Sequence, residues 1–286
     1  MRMPIHRRQF LALAAATFLE AQFPHEVRKR LSVSTYPFRS FIGRGGMTLQ
    51  QFAASIPGTF QVTGIEPWSR HFESTDADYV RQLHESFQKA GVHVVNIPVD
   101  VRVHPCSAIA AEREQTQQTW REWVDAAVLL GSPSIRVHMP PQDADSRCVL
   151  ETLRDIAEYG AQRRIVILLE NDDPRTEDAF RIVDIIEKVN SPYLRALPDF
   201  ANSMQRGDAE YDYRAVAAMF AHAYSISHVK DEEIVQGKVL RVSLARTFAI
   251  AKRAGYRGYF SMEFDGAGDV YAGTRRLIAA SLQYLA

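Results

Sequence analysis

After residue 31 the chain repeats one pattern eight times: a short apolar, β-branched run, then a longer stretch with apolar residues three or four positions apart. Such runs are strands buried on both faces and such stretches are amphipathic helices, so the pattern is that of a parallel sheet with helical crossovers. Strands are predicted at Leu31–Tyr36, Gly64–Pro67, His93–Pro98, Ser134–Met139, Ile165–Glu170, Leu194–Asp199, Tyr224–Val229 and Tyr259–Phe264. Helices are predicted at Tyr79–Ala90, Ala110–Leu130, Val149–Ala161, Thr176–Val189, Tyr213–Phe220 and Val242–Ala254. Gly91, Gly131 and Gly255 each fall between a helix and a strand, where a left-handed C-cap is wanted. Eight strand–helix units close naturally on themselves, and 286 residues suit one such domain of about 250. The expected fold is therefore α/β, a single (β/α)8 TIM barrel over residues 31–286. An open doubly wound sheet is disfavoured, because the loop holding Gly43, Gly45 and Gly46 has neither the G-x-G-x-x-G spacing nor a P-loop lysine.

The N-terminus reads His6-Arg7-Arg8-Gln9-Phe10-Leu11, and the apolar run Leu11–Leu19 is too short to span a bilayer, which takes about 20 residues. Residues 1–27 are read as an export signal. Adjacent arginines followed by Phe-Leu resemble the twin-arginine type, a route for folded proteins, and imply a periplasmic location. Leu19-Glu20-Ala21 is a poor small-x-small cleavage site, so the segment could stay as an anchor; no other membrane association is expected. Only two cysteines occur, Cys106 and Cys148, which excludes a disulfide framework and a thiolate zinc motif. They read as packing residues in or after the loops following the third and fourth strands, where an oxidising compartment would permit a bridge.

Lysine plus arginine and aspartate plus glutamate balance at 34 each, so no overall field draws the chain to nucleic acid or an anionic membrane. The cluster Arg28-Lys29-Arg30 reads as a solvated lead-in to the first strand. A small neutral ligand, a carbohydrate or polyol, fits better than a polyanion. Nothing in the sequence fixes the oligomeric state, and a homo-oligomer is compatible with it.

In a barrel of this kind functional groups sit at the carboxyl ends of strands, so the informative residues are polar ones that terminate apolar runs. Strand five ends in Glu170, strand six in Asp199, strand seven presents His228 and strand eight ends in Glu263. Any one of them could cap a helix or pair with an arginine, but four on successive strands are hard to explain that way. Three carboxylates converging with an imidazole repel unless a cation sits among them. Oxygen-rich donors with one nitrogen suit Mn²⁺ or Mg²⁺ and permit Zn²⁺ or Co²⁺. On the other half of the mouth, Glu66 ends strand two and is the expected hydroxyl acceptor. Trp68, Arg70 and His71 follow it, and Arg136 and His138 lie on strand four. Trp68 could stack on a sugar face or cover the rim. His138 could touch substrate, or be a core histidine satisfied by Glu170 or Glu66. His104 and Tyr36 are weaker candidates.

The segments Leu169-Glu170-Asn171-Asp172, Pro198-Asp199-Phe200-Ala201-Asn202, Ser227-His228-Val229-Lys230-Asp231 and Gly258-Tyr259-Phe260-Ser261-Met262-Glu263 resemble the xylose-isomerase-like barrel superfamily, best known for sugar phosphate isomerases and epimerases. The likeness runs from the first strand to the last helix. It implies that Glu170, Asp199, His228 and Glu263 bind one divalent metal. It further implies that Glu170 and Glu263 exchange protons with substrate carbon through a metal-stabilised enediolate, and that Asn202 lies within reach of substrate. Asp172 departs from the pattern, since relatives often carry histidine there. Lys230 points to the same side as His228 and could stabilise an oxyanion or pair with a metal-site carboxylate. The leading expectation is a metal-dependent sugar isomerase or epimerase. The alternatives are a lyase, dehydratase or hydrolase acting on keto-sugars or glycosides, and a sugar-binding barrel without turnover. No phosphate-binding loop is evident, which disfavours phosphorylated substrates, and a neutral chain that shows clearly neither a basic groove nor the additional histidines of a multi-metal site disfavours a nucleic-acid phosphoesterase.

Overall fold

The computed structural model of the protein describes residues 23–43 and 46–286. The export-signal reading therefore falls, for residues 1–22, outside the described residues. Eight strands line the barrel in chain order: β1 Leu31–Ser34, β2 Gly64–Glu66, β3 in two segments His93–Val94 and Ile97–Pro98, β4 Ser134–Arg136, β5 Val166–Glu170, β6 Leu194–Leu197, β7 Ile226–Val229 and β8 Tyr259–Met262. Among the described residues the helices that follow them are α1 Leu49–Phe60, α2 Ala77–Lys89, α3 Ala110–Leu130, α4 Ser146–Arg163, α5 Ala179–Val189, α6 Ala209–Phe220, α7 Leu244–Arg253 and α8 Val270–Leu285. None of them is long and apolar enough to cross a membrane.

The ring closes through parallel pairing of β1 with both β2 and β8. Its two arcs meet at β3, whose first segment pairs with β2 and whose second pairs with β4. That division is the stagger a tilted barrel requires. The opposite seam, β6 to β7, is held by the bridge between Asp199 and His228 and by the Phe200 amide donating to His228 O at 3.2 Å. Two prospective site residues are thus fixed to each other by backbone.

Alternation along each strand separates two cores. In β5, Val166 and Leu168 face the barrel interior with Leu197, Ile226 and Tyr259, whereas Ile167 and Leu169 pack outward beneath the helices. Phe23, inside the segment assigned to the signal, packs edge-on to Tyr224 and Tyr259 at 5.6 and 5.7 Å and closes the base of that inner cluster. Above the apolar base comes a layer of small polar residues, including Ser32, Asn96, Ser134, Ser225 and Ser261, all buried. Gly64 belongs to this layer, for a Cβ there would lie 2.6 Å from Ser32 Cβ.

The predicted glycine caps are in place: Gly91, Gly131 and Gly255 have φ of 69°, 77° and 68°. Three features went unpredicted. No helix was assigned to the last one, α8. Helix α1, to which no helix was assigned, is opened by a capping box in which Thr48 Oγ1 accepts from the Gln51 amide and Gln51 Oε1 from the Thr48 amide. After β7 an antiparallel hairpin, Glu232–Val235 with Lys238–Arg241, turns through Gln236 and Gly237, both with positive φ as a two-residue hairpin turn needs. Cys106 and Cys148 are bridged, tying the β3–α3 loop to the first turn of α4 with Cα atoms 5.9 Å apart.

Candidate metal centre

The inward positions of β5 to β8 continue past the polar layer as Glu170, Asp199, His228 with Lys230, and Glu263. Glu170, Asp199, His228 and Glu263 are all buried, and one donor atom from each lies within 4.8 Å of the others. His228 Nδ1 lies 2.7 Å from Glu170 Oε1, 3.4 Å from Glu263 Oε2 and 3.9 Å from Asp199 Oδ2. Its Nε2 faces Glu66 Oε1 and Oε2 at 3.0 and 3.1 Å. Burial alone would depress the imidazole pKa, but Glu170, Glu263 and Glu66 outweigh it and hold the value well above its usual range. The same histidine overcomes the burial of Glu66 and keeps that carboxyl below its usual range. Glu66 is thus an acceptor, and Nε2–H is the proton it takes.

Local structure leaves selected oxygens free. Asp199 Oδ1 accepts from the Ala201 and Asn202 amides at 2.8 and 2.7 Å at the start of the short 3-10 helix Asn202–Arg206, while Oδ2 is buried with no hydrogen-bond partner among the described residues. Glu170 Oε2 is likewise without one: Arg136 Nε stands 3.0 Å away but off the line of a hydrogen bond. Burial, partly offset by Lys230 and reinforced by Glu170 and Glu263, pushes the Asp199 carboxyl up to about 7. Burial also raises Glu170, against the opposing effects of His228 and Arg136. Buried acceptors without donors, beside an imidazole whose other nitrogen is already engaged, make a donor set that fits a divalent cation.

A cavity of about 210 Å³ opens above the cluster, lined on one side by Glu170, Asn202, Lys230 and Glu263 and on the other by Tyr36, Trp68, Asp100 and Arg136, with Asp172, Glu233 and Asp265 at its mouth. Lys230 Nζ is 2.9 Å from Glu263 Oε2, 3.6 Å from Asp199 Oδ2 and 2.9 Å from Asn202 Oδ1, so it pairs with carboxylates and also faces the cavity. A larger groove of about 1050 Å³ beside the Cys106–Cys148 bridge lies between α3 and α4, away from the converging carboxylates.

Three expectations need correction. Glu66, expected to accept a substrate hydroxyl, is 0% exposed beneath His228 and is bonded to it and to Asn96 Nδ2 at 2.9 Å. His138 is satisfied, but by Asp100 Oδ1 at 2.8 Å and Glu177 Oε2 at 3.1 Å rather than by Glu170 or Glu66. His71 does not line the cavity; its Nδ1 lies 2.9 Å from Thr35 Oγ1, and burial pushes the ring down to about 4. Trp68, Arg136 and Asn202 do line it.

Asp100 was missed. Its Oδ2 accepts from Trp68 Nε1 at 2.6 Å and its Oδ1 from Arg136 Nη1 at 2.6 Å, and despite burial these partners with His138 hold the carboxyl far below its usual range. It follows Asn96 and Pro98 at alternate positions, the one local sign that it faces inward.

The profile of a family described as xylose isomerase-like TIM barrel matches residues 58–286. No curated protein sequence matches the chain. Solved structures of the same fold include 3-keto-D-glucoside 4-epimerase from E. coli, 13% identical with a TM-score of 0.68 over 89% of this chain and 99% of that one. A D-tagatose 3-epimerase-like protein is 17% identical with a TM-score of 0.71 over 90% and 97% of the two chains. D-psicose 3-epimerase from Clostridium cellulolyticum H10, solved with D-tagatose, is 11% identical with a TM-score of 0.69 over 89% and 97%.

Proposed function

The chain belongs to the xylose isomerase-like TIM barrel family, and on that premise we propose that it is a divalent-metal-dependent sugar isomerase or epimerase acting beside a carbonyl. The observation that carries the reading is the convergence of Glu170, Asp199, His228 and Glu263 with two buried carboxylate oxygens that have no donor. Neighbours of the same fold named as epimerases of a keto-glucoside and of D-psicose support it. A cation held by the four residues would polarise the carbonyl and the adjacent hydroxyl, acidifying the proton on the carbon between them. Glu170 and Glu263 both line the cavity, which supports them as the carboxylates that take and return that proton. Lys230, buried with Nζ facing the cavity, offers fixed positive charge to an oxygen that becomes anionic. Arg136 and Asp100 orient the opposite wall, where Trp68 supplies an aromatic side chain for a sugar to pack on.

The lining sets six carboxylates against Lys230 and Arg136, which favours a neutral polyol over a phosphorylated substrate. The Cys106–Cys148 bridge supports export, since such bonds persist in oxidising compartments. The test is deuterium incorporation from solvent into a panel of ketoses and aldoses, with protein loaded in turn with Mn²⁺, Mg²⁺, Zn²⁺ and Co²⁺. Exchange at the carbon beside the carbonyl, lost together with bound metal in His228→Ala, is expected. Loss of a substrate fragment instead would assign a lyase, and binding without exchange for any ion would leave a sugar-binding barrel.

A further inference from the structure

The cavity over the metal centre, about 210 Å³, is smaller than the roughly 300 Å³ at which small-molecule pockets usually begin. It does not end there. A second groove of about 660 Å³ shares Gln205 as a wall, and where Asp172 and Glu233 line the inner cavity, the next residues, Asp173 and Ile234, line the groove. The unpredicted hairpin forms its far side through Ile234, Val235 and Gln236.

The groove's charges are already engaged. Arg175 Nη2 pairs with Asp173 Oδ2 at 2.9 Å, and Arg206 Nη2 with Asp178 Oδ2 at 2.9 Å and with Pro174 O at 3.0 Å. What remains is the amides of Gln142 and Gln236 and the Oε1 of Gln205, whose Nε2 donates to Asp172 O at 3.4 Å, beside the apolar surface of Ile234, 44% exposed, and half-buried Val235. Neutral donors and acceptors set against an apolar patch complement a pyranose ring, with its ring of hydroxyls and its apolar face. They offer no free cation to a phosphate.

We infer that this groove is a subsite for a second saccharide unit, so that the substrate is a neutral glycoside or short oligosaccharide whose reacting sugar occupies the inner cavity. The inference rests on the sugar reading of that cavity and deepens it. The experiment is calorimetric titration of the Mn²⁺-loaded full chain with D-glucose and D-fructose, and with maltose, cellobiose and sucrose. At least one disaccharide should bind about tenfold or more tightly than either monosaccharide, a difference of about 1.4 kcal/mol. Ile234→Asp should erase most of that advantage and Ile234→Val should keep it. No disaccharide binding more tightly than the monosaccharides, or an advantage untouched by Ile234→Asp, would overturn the subsite. Deuterium exchange on the same samples separates the two readings. A disaccharide advantage without exchange anywhere removes the isomerase chemistry and leaves the subsite, while exchange into free monosaccharides without an advantage does the reverse.

Discussion

Replacing Glu66 by glutamine changes one oxygen for one nitrogen in a group outside both the four-residue cluster and the cavity lining, yet it should weaken metal binding. Glu66 is fully buried; His228 Nε2 lies 3.0 and 3.1 Å from its two oxygens, and Asn96 Nδ2 donates to Oε1 at 2.9 Å. Asn96 cannot turn over freely, because its Oδ1 accepts from Ser134 Oγ at 2.8 Å. Glutamine brings a single acceptor oxygen. Aimed at His228, it leaves its NH₂ against the Asn96 NH₂. Aimed at Asn96, the oxygen keeps the place of Oε1 but the NH₂ takes that of Oε2, 3.1 Å from Nε2, which favours an accepting Nε2 and a proton on Nδ1, the nitrogen that faces Glu170, Asp199 and Glu263. Either arrangement forfeits a hydrogen bond to a charged group, worth about 1.5–3 kcal/mol. Partners of this kind behind a metal-binding histidine typically contribute about 10–100-fold in affinity, or roughly 1.4–2.7 kcal/mol. Competition against a chelator of known affinity at one fixed pH measures the change. A Glu66→Gln protein that binds Mn²⁺ or Zn²⁺ within about threefold of the wild type would refute the claim that Glu66 sets the His228 tautomer.

Glu170→Gln and Glu263→Gln should each lower kcat in the exchange assay by about 10²–10⁴-fold with the circular dichroism spectrum unchanged, and an unaltered rate in either removes that residue from proton transfer. Cys106→Ser opens a bridge spanning 42 residues, for which loop-closure entropy gives a loss of about 4 kcal/mol. Urea denaturation should show it, and the wild type in reductant should match the variant. Asp212 is 0% exposed in α6, and burial, then the Asp199 charge, pushes its carboxyl up to about 8. The folded chain therefore holds a proton that the unfolded chain loses near pH 4, so wild-type stability falls as pH rises between those values, by at most about 1.4 kcal/mol per unit. Asp212→Asn should gain on the wild type across that window and level off above it; a gap independent of pH would contradict the assignment.

How much of this was legible depended on how far each feature is local. β5 is Val166-Ile167-Leu168-Leu169 closed by Glu170, so an acid ending an apolar run names itself, and the same holds for Asp199 and Glu263, whereas His228 is a lone imidazole presented inside β7. Glu66 was placed at its strand end but given the wrong task, because its partner His228 lies 162 residues away across the barrel. His138 failed for the same reason: Asp100 and Glu177 are 38 and 39 residues off, on other loops. Asp100 lies beyond the last paired residue of β3, Pro98, in a polar-looking run where its strand parity is easily overlooked. The hairpin was invisible because its turn is Gln236-Gly237, not an Asn-Gly or Asp-Gly signal, and its strands mix charge with apolar residues.

The electrostatics of the cluster explain why four such residues can be buried together at all. Four buried carboxylates, Glu66, Glu170, Asp199 and Glu263, repel one another in a water-poor space, and Lys230 and Arg136 offset that repulsion only in part. Lys230 supplies one charge from one side, on Glu263 and Asp199, and Arg136 is shared with Asp100. Protons make up the balance: His228 is held charged well above its usual range, and the Asp199 carboxyl is pushed up to about 7. Those protons occupy the positions whose lone pairs a divalent cation needs, Nδ1 of the imidazole and the oxygens of Asp199, so a cation can enter only by displacing them. Metal affinity must then rise with pH through neutrality, with proton release on binding. Lys230 cannot substitute for the metal, because it leaves Glu170 Oε2 and Asp199 Oδ2 without hydrogen-bond donors. The unsatisfied oxygens that make the site costly to fold are therefore the ones that suit it to a second positive charge.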